Sequence, residues 1–421
     1  MQNAIFFSLL ARGSRAPKTR FKRLTIESWK LFDRLSINFH DRLTILTGAN
    51  ASGKTTILNL LASHFGWEMN ELATPIQDSD SGVIRFIKRL WPKGEIPFDA
   101  TIGKLLYENG KEALLQLPDQ DLTKYEIIIS PKQPVNGFYS PAHRPTFHYY
   151  PVDQVISEKE VTMREAFEQV SQSIRNWIGR VQDKPSNYYI KRALINWCAD
   201  SGGVGKKSKL EYFNGFEEIL KQVLPKSFGF KKFLVRNSEV LLETDSSEFL
   251  LDSCSGGISA IIDLVWQIYM FQARTTQGFT VLIDEVENHL HANMQRAILP
   301  DLINAFPMVQ FIVATHSPLI IGSVRDSNVY ALRYNVNMKI ESEELDIRNK
   351  AKNATDILNK ILGVPFTMPL WVEDELDGIV KRYLDREIDQ RLFDEIRDDL
   401  GKIGLEELMP LAIRKTLKRY D

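Results

Sequence analysis

Two cysteines, Cys198 and Cys254, in 421 residues are too few for a disulfide framework, so reduced thiols are the expected state. The chain also lacks a surplus of either charge. Its 53 basic residues stand against 54 acidic ones, so no global field draws it to nucleic acid or an anionic membrane. No apolar run approaches the length that spans a bilayer, and no fixed-period repeat is visible. The opening run Ala4–Ala11 is apolar but short, with no basic residue before it. It is unlike an export signal and reads as a packing or partner-contacting segment. These absences point to a cytoplasmic protein with no membrane partner. What is present is an ordinary globular composition, 43% hydrophobic and 25% charged. The length holds two or three domain-sized units, or one large core with insertions.

The run Gly48-Ala49-Asn50-Ala51-Ser52-Gly53-Lys54-Thr55 has the form G-x-x-x-x-G-K-T. It follows the apolar stretch Leu43-Thr44-Ile45-Leu46 and leads into Thr56-Ile57-Leu58-Asn59-Leu60-Leu61. A buried strand, a glycine-containing loop and a helix are therefore expected in succession, the context of a phosphate loop. Gly48 and Gly53 let the backbone wrap closely, so that N–H groups and the helix N-terminus face a polyphosphate. A nucleotide is expected against Gly48, Asn50, Ser52, Gly53, Lys54, Thr55 and Thr56. Lys54 would reach the β- and γ-phosphates, and the Thr55 hydroxyl would complete a Mg²⁺ shell. A chance Gly/Ser-rich loop would lack the flanking strand and helix.

The second half of an ATP site lies far downstream. Val281-Leu282-Ile283-Asp284-Glu285 reads as a buried parallel strand ending in two carboxylates, where ligands bind in open α/β sheets. Asp284 is expected to hold Mg²⁺, and Glu285 to orient and polarise the attacking water. Upstream, Ser255-Gly256-Gly257 opens an amphipathic helix carrying Ile258, Ile261, Ile262, Val265, Ile268 and Tyr269. Small residues there make an anion seat, although such a triplet alone is most often a helix cap. Gln310–Ala314 is another apolar strand, ending in Thr315-His316-Ser317-Pro318, from which His316 can reach a γ-phosphate.

Around these motifs the pattern implies an α/β fold in several parts. Residues 1–21 are an N-terminal extension, and residues 22–154 a lobe with the phosphate loop. Strands are expected at Phe21–Glu27, Leu31–Phe39, Tyr125–Ser130 and Gly137–Ser140, with a hairpin turning at Asn109-Gly110. Residues 155–228 read as a helical insertion, and 229–345 as the lobe with the signature, the acidic strand and the histidine. That lobe begins with strands at Phe233–Val235 and Val240–Glu243. Residues 346–421 are helical and strongly charged, with Leu358, Ile361, Leu362, Ile379, Tyr383 and Leu384 at helical spacing.

The order of phosphate loop, Ser-Gly-Gly, Asp-Glu strand and strand-end histidine resembles the ATP-binding-cassette (ABC) ATPases. The runs Ile283-Asp284-Glu285-Val286-Glu287-Asn288-His289-Leu290-His291 and Ala314-Thr315-His316-Ser317-Pro318 narrow the likeness. They resemble the soluble AAA-family branch around the overcoming-lysogenization-defect (OLD) ATPases, with Rad50/SMC and RecF as more distant relatives. The resemblance covers roughly residues 22–335. It implies an ABC-ATPase phosphate-loop fold with a mixed sheet, and ATP with Mg²⁺ as cofactors. Lys54 and Thr55 would then serve phosphate and Mg²⁺, Asp284 Mg²⁺, Glu285 as base, and His316 as γ-phosphate sensor. Ser255, Gly256 and Gly257 would serve the nucleotide of a second protomer. Two features depart from the pattern. The signature Cys254-Ser255-Gly256-Gly257-Ile258 lacks a leading Leu and a trailing Gln, and the glutamine loop has only Gln133 and Gln154 as candidates.

Among cassette functions, a transporter motor would need a membrane partner, and an SMC-type protein a long arm. An insertion of this length makes two antiparallel helices of only ~50 Å at ~1.5 Å per residue, without sustained heptads. A short-insertion soluble ATPase remains, resembling the ATPase components of bacterial anti-phage systems such as PtuA of Septu and of some retrons, or AriA of PARIS. That resemblance implies a homodimer or higher oligomer formed on ATP, and a separately encoded nuclease or other effector as partner. A RecF- or Rad50-like DNA-repair ATPase, or a DNA-binding clamp, is the competing reading. Basic clusters at Arg12, Arg15, Lys18, Arg20, Lys22 and Arg23 and at Lys206, Lys207 and Lys209 leave DNA or RNA contact open. His289-x-His291 reads better as part of the loop facing a partner protomer than as a metal pair. Trp371-Val372-Glu373-Asp374-Glu375 superficially resembles a Toprim opening, but too little chain follows, and with Asp398-Asp399 it reads as helix.

Overall fold

The computed structural model describes residues 19–77, 84–87, 101–118, 123–153, 161–198, 206–346, 357, 370–383, 386 and 390–417. The chain divides into two compact units, residues 1–357 and 358–421. In the first, β1 (Phe21–Trp29), β2 (Phe32–Asn38) and β3 (Leu43–Gly48) precede α1 (Lys54–Ala62). Short strands β4 (Glu71–Leu72), β5 (Thr74–Gln77) and β6 (Ile84–Ile87) come next. They are followed by β7 (Thr101–Tyr107), β8 (Glu112–Gln116), β9 (Lys124–Tyr125), β10 (Ile128–Ser130) and β11 (Gly137–Ser140). The stretch expected as one strand over Tyr125–Ser130 is thus two short ones, β9 pairing with β4 and β10 with β8.

The helices α2 (Met163–Ile178), α3 (Ser186–Cys198) and α4 (Lys206–Val223) form the insertion. After it come β12 (Phe230–Arg236), β13 (Glu239–Thr244) and β14 (Glu248–Leu250), which pair in sequence as a small antiparallel sheet. α5 (Gly256–Gln272), β15 (Phe279–Asp284), α6 (Ala292–Ala305), β16 (Val309–Ala314), α7 (Pro318–Ile321), β17 (Asn328–Tyr334) and β18 (Ile340–Glu344) complete the unit.

One eleven-stranded mixed sheet runs β10-β8-β7-β1-β2-β18-β17-β3-β16-β15-β11. The segment from β17 through β3, β16 and β15 to β11 is parallel. Its strands β3, β15 and β16 are buried at every position, because both faces are covered, and they read in the sequence as largely apolar runs interrupted only by Thr44, Thr47, Thr280, Asp284 and Gln310. β1, β2, β7 and β8 pair antiparallel and alternate buried with exposed positions. The β7–β8 hairpin turns at Gly110, whose φ of 79° suits glycine, and the Asn109 side chain accepts from the Lys111 N–H.

The insertion is built onto α5. α2 starts with a reciprocal cap between Thr162 and Glu165. Trp197 of α3 stacks on Trp266 of α5 with centroids 5.5 Å apart, and Phe216 of α4 meets the same indole edge-on at 4.9 Å. All three are fully buried. Lys191 of α3, also buried, pairs with Asp252, three residues before Ser255, and with Glu239 of β13. In the second unit, α8 (Leu370–Tyr383), α9 (Gln390–Lys402) and α10 (Met409–Leu417) enclose Leu376, Ile379, Tyr383, Leu392, Ile396, Leu400 and Ala412. Leu358, Ile361, Leu362 and Leu384 lie outside the described residues.

Candidate nucleotide site

β3 delivers the phosphate loop, and β15 leads to the two acids, at the C-terminal ends of parallel strands. β16, which carries His316 just past its end, lies between them. The loop needs its glycines. Gly48 has φ 144°, and a Cβ there would lie 2.4 Å from the Leu332 carbonyl oxygen. Gly53 has φ 84°, and a Cβ there would lie 2.3 Å from the Phe32 ring. Between them Ala51 also adopts a positive φ of 62°. Asn50 is exposed on the loop, Ser52 is buried, and Thr56 is half-buried in the first turn of α1.

Lys54 is 5% exposed, and its ammonium donates to the carbonyls of Gly48 and Ala49 at 3.0 Å each, and to the Ser52 hydroxyl. Burial lowers its pKa to about 8, against the opposing pull of Asp284, Glu285 and Glu287. Thr55 Oγ1 donates to Asp284 Oδ2 at 2.9 Å across 229 positions of sequence. Asp284 is buried, and that burial raises its pKa, with the Thr55 hydrogen bond opposing. Tyr139 of β11 packs beside it, its phenol pushed well up by burial and by the Asp284 charge.

Glu285 corrects one expectation. It lies beyond β15 rather than within it, at a positive φ of 46° that turns the chain sharply away from the strand. Three residues the motifs did not assign hold this turn. Asn288 Nδ2 donates to Glu285 Oε2 at 2.8 Å and to the Ala142 carbonyl at 2.9 Å. Arg144, buried, donates from Nη2 to the Glu285 carbonyl at 3.0 Å. Glu287 Oε1 accepts the N–H groups of His316 at 2.6 Å and Ser317 at 3.2 Å. Its Oε2 is buried without a hydrogen bond among the described residues. Glu287 and Asn288 stood inside a quoted motif but carried no local signal of their role. Arg144 sits in a Pro-flanked coil that nothing in the sequence distinguishes.

His316 reaches the phosphate loop. Its pKa is lowered by burial and then by Lys54, while a hydrogen bond with the Gly48 backbone opposes, so the imidazole is neutral near pH 7. Ser317 caps α7, accepting from the Leu319 N–H and donating to Gln295 Oε1 at 2.6 Å.

The Ser-Gly-Gly triplet forms the start of α5. Ser255 is the exposed N-cap of α5 and makes no capping bond. A Cβ on Gly257 would lie 2.9 Å from the His289 carbonyl, so the helix start packs on the turn that follows Glu285. Cys254 is inert there, its thiol pushed up to about 12 by burial.

Several other expectations resolve locally. Gln133 bonds the Pro131 carbonyl, and Gln154 lies outside the described residues. No group of three His, Cys, Asp or Glu able to hold a metal ion occurs among the described residues, so His289 and His291 gain no third ligand there. Arg12, Arg15 and Lys18 lie outside the described residues, and Arg20 is paired with Glu108. Lys22 and Arg23 are exposed on β1, Arg23 bonding Asn38, while Lys206, Lys207 and Lys209 open α4. Trp371–Glu375 and Asp398-Asp399 are helical, and Asp399 bonds Tyr383, Arg382 and Lys402. Among the described residues no helix is long and apolar enough to cross a membrane.

Beneath the acidic turn, Asp263 of α5 is fully buried and accepts from Gln267 at 2.9 Å. Burial raises its pKa from 3.8 to about 6, with Ser186, Arg144 and Gln267 opposing. A folded-state pKa above the unfolded one adds stability at low pH, lost as pH rises through about 6. Asp263→Asn removes that dependence. The variant should therefore gain on the wild type between pH 4 and pH 7, by roughly 3 kcal/mol at most. Urea titrations at the two pH values check this, and an equal difference at both would contradict it.

A family model for an AAA domain matches residues 23–193. A second, described as AAA domain, putative AbiEii toxin, Type IV TA system, matches residues 242–322. A retron Vc95 probable ATPase of Vibrio cholerae is 22% identical over 91% of this chain and 86% of its own length. A Septu protein PtuA of Bacillus thuringiensis is 20% identical over 89% of this chain and 91% of its own. A PtuA of Bacillus mycoides is 29% identical over 42% of this chain and 26% of its own. Among solved structures, the SMC head domain from Thermotoga maritima superposes with a TM-score of 0.42 at 15% identity, covering 78% of this chain and 99% of the head. At that score the likeness carries no argument of its own. The resemblance to ABC-type, AAA-family ATPases of the retron and Septu kind therefore holds on the family models, the named relatives and the motifs together.

Proposed function

We propose that this AAA/ABC-type ATPase, related to the retron and Septu ATPases, binds ATP with Mg²⁺, pairs head to tail with a second copy and hydrolyses the nucleotide slowly. Its nucleotide state would restrain or release a separately encoded effector, a nuclease foremost, in anti-phage defence. The observation that carries the reading is the 2.9 Å hydrogen bond from Thr55 to Asp284, which joins the phosphate loop to the acidic strand. The residues fit the ligand. Gly48 and Gly53 hold the loop at positive φ, packed so closely on Leu332 and Phe32 that no Cβ fits, and Lys54 lies across the loop as a buried cation.

Thr55 and Asp284 would hold Mg²⁺, which when bound offsets the negative charge of the phosphate oxygens. Glu285, anchored by Asn288 and held at a positive φ, would take the proton of the attacking water. Neutral His316 beside Gly48 would hydrogen-bond the terminal phosphate, its backbone fixed by Glu287. Lys54 pairs with the phosphates through its ammonium.

Head-to-tail pairing follows from the exposed Ser255 at the start of a 17-residue helix, an anion seat that a second copy's nucleotide would complete. The insertion helices of 16, 13 and 18 residues are too short for a coiled-coil arm, which favours this reading over a structural clamp. Mixing two inactive variants tests it. Lys54→Ala lacks a phosphate loop and Ser255→Arg lacks a signature, so a mixed pair contains one intact site. Recovery of ATPase activity on mixing supports the pairing, and a mixture no more active than its components rejects it.

A further inference from the structure

Behind the acidic turn lies a cavity of about 580 Å³, the size of a small-ligand site, which the proposed hydrolysis does not use. Three separate segments wall it: the coil after β11 with Arg144 and His148, the end of α2 and its loop with Trp177 and Lys184, and the turn with Asn288 and His289. Hydrogen-bond donors dominate the walls. The one carboxylate, Asp183, is already engaged by Asn176, Tyr189 and the Lys184 N–H. Arg144 is 5% exposed, and its Nε is buried without a hydrogen bond among the described residues. Trp177 stands 49% exposed on the wall, a large aromatic face with no need to be at the surface for packing. His148 and His289 are exposed around it.

Cationic and donor groups around an exposed indole make an arrangement that suits an anionic ligand with an aromatic ring. We infer that this cavity is a second site, for the base and phosphate of one nucleotide, and that its occupancy is read at Glu285. The nucleotide comes either free or as the unpaired end of a single strand. The indole stacks the base, Lys184 and Arg144 attract the phosphate, and no sequence code is needed. The link to the catalytic turn is short. Asn288 lines the cavity, and its one amide group bonds both the Ala142 carbonyl and Glu285 Oε2. A ligand that displaces Asn288 therefore shifts Glu285. His289, also on the wall, carries the carbonyl against which Gly257 packs, so the signature helix feels the same occupant. The inference deepens the proposed function and rests on it only for the coupling to turnover.

The probes are AMP, which lacks the β- and γ-phosphates that the phosphate loop cradles, and a 5′-phosphorylated single-stranded hexanucleotide. Calorimetry on the full chain is expected to detect binding of at least one. AMP alone assigns a free nucleotide as the ligand, and the hexanucleotide identifies a strand end. Trp177→Ala should weaken binding roughly 5- to 150-fold, the range of one base–aromatic stack, and Lys184→Met should weaken it further. Circular dichroism and ATP binding by both variants confirm their folding. Saturating probe should also change the wild-type turnover of ATP roughly fivefold or more, and leave that of Trp177→Ala unchanged. Protein that hydrolyses ATP but binds neither probe overturns this inference and leaves the ATPase reading standing. Binding unaffected by both substitutions overturns it as well. Protein that binds a probe through Trp177 but never binds ATP overturns the ATPase reading and keeps the second site.

Discussion

Glu285→Gln is expected to lower ATP turnover by roughly 10²–10⁴-fold, the usual contribution of a positioned general base, while nucleotide affinity stays near wild type. The substitution changes little else. Glutamine keeps the side-chain length, and its amide oxygen can still accept from Asn288, which holds the native carboxylate at 2.8 Å. The backbone turn persists because Arg144 bonds the Glu285 carbonyl, not its side chain. Thr55 and Asp284 stay in place beneath it. What is lost is only the group able to take a proton from water. Phosphate release under saturating Mg²⁺·ATP gives the turnover, and equilibrium binding gives the affinity. Turnover within about tenfold of wild type would remove Glu285 as the base.

The second large effect belongs to Lys54→Ala. Hydrogen bonds to charged groups contribute roughly 1.5–3 kcal/mol each, so loss of the ammonium should weaken ATP binding by at least tenfold and up to about 150-fold. The fold should tolerate the change. Lys54 now lies buried across its own loop, at a pKa pulled down to about 8 by that burial, and alanine removes a desolvated charge. The hydrogen bonds lost are to the carbonyls of Gly48, which is buried, and of Ala49, which is exposed and open to water. Circular dichroism should be unchanged while the titration of a fluorescent ATP analogue shifts to at least tenfold higher concentration. Unchanged affinity would mean that the nucleotide is not held by this loop.

Both effects concern residues that the sequence announces, for a physical reason. A phosphate loop is a local object: its glycines, lysine and threonine are contiguous because one turn of backbone shapes the cradle. The buried strands around it are legible for a similar reason, since covering both faces of a parallel sheet leaves continuous apolar runs such as Phe311–Ala314. The groups that align the acidic turn are different. Arg144 reaches Glu285 across 141 positions and Asn288 reaches Ala142 across 146, so no window of sequence contains either interaction. Glu287 was within sight yet unassignable, because its partners are the N–H groups of residues 316 and 317, and backbone donors leave no trace in residue type. Glu285 differs from the strand expectation because it directly follows the apolar run Val281–Ile283 and Asp284, with nothing in residue type to mark the end of β15. Its positive φ is imposed by the turn that Arg144 and Asn288 hold. The break between β9 and β10 was missed for a related reason. β9 pairs with β4 and β10 with β8, so tertiary pairing divides a run that looks uniform.

The central claim is that ATP joins two copies through the phosphate loop of one and the exposed Ser255 helix start of the other. The most direct measurement is the molar mass of Glu285→Gln by light scattering, with and without saturating Mg²⁺·ATP. Slowed hydrolysis should hold the nucleotide in place, so the mass should rise from that of the nucleotide-free species to a dimer or larger assembly, and the rise should vanish with Lys54→Ala or Ser255→Arg added. A variant that binds ATP fully and yet shows no increase in mass would contradict the account.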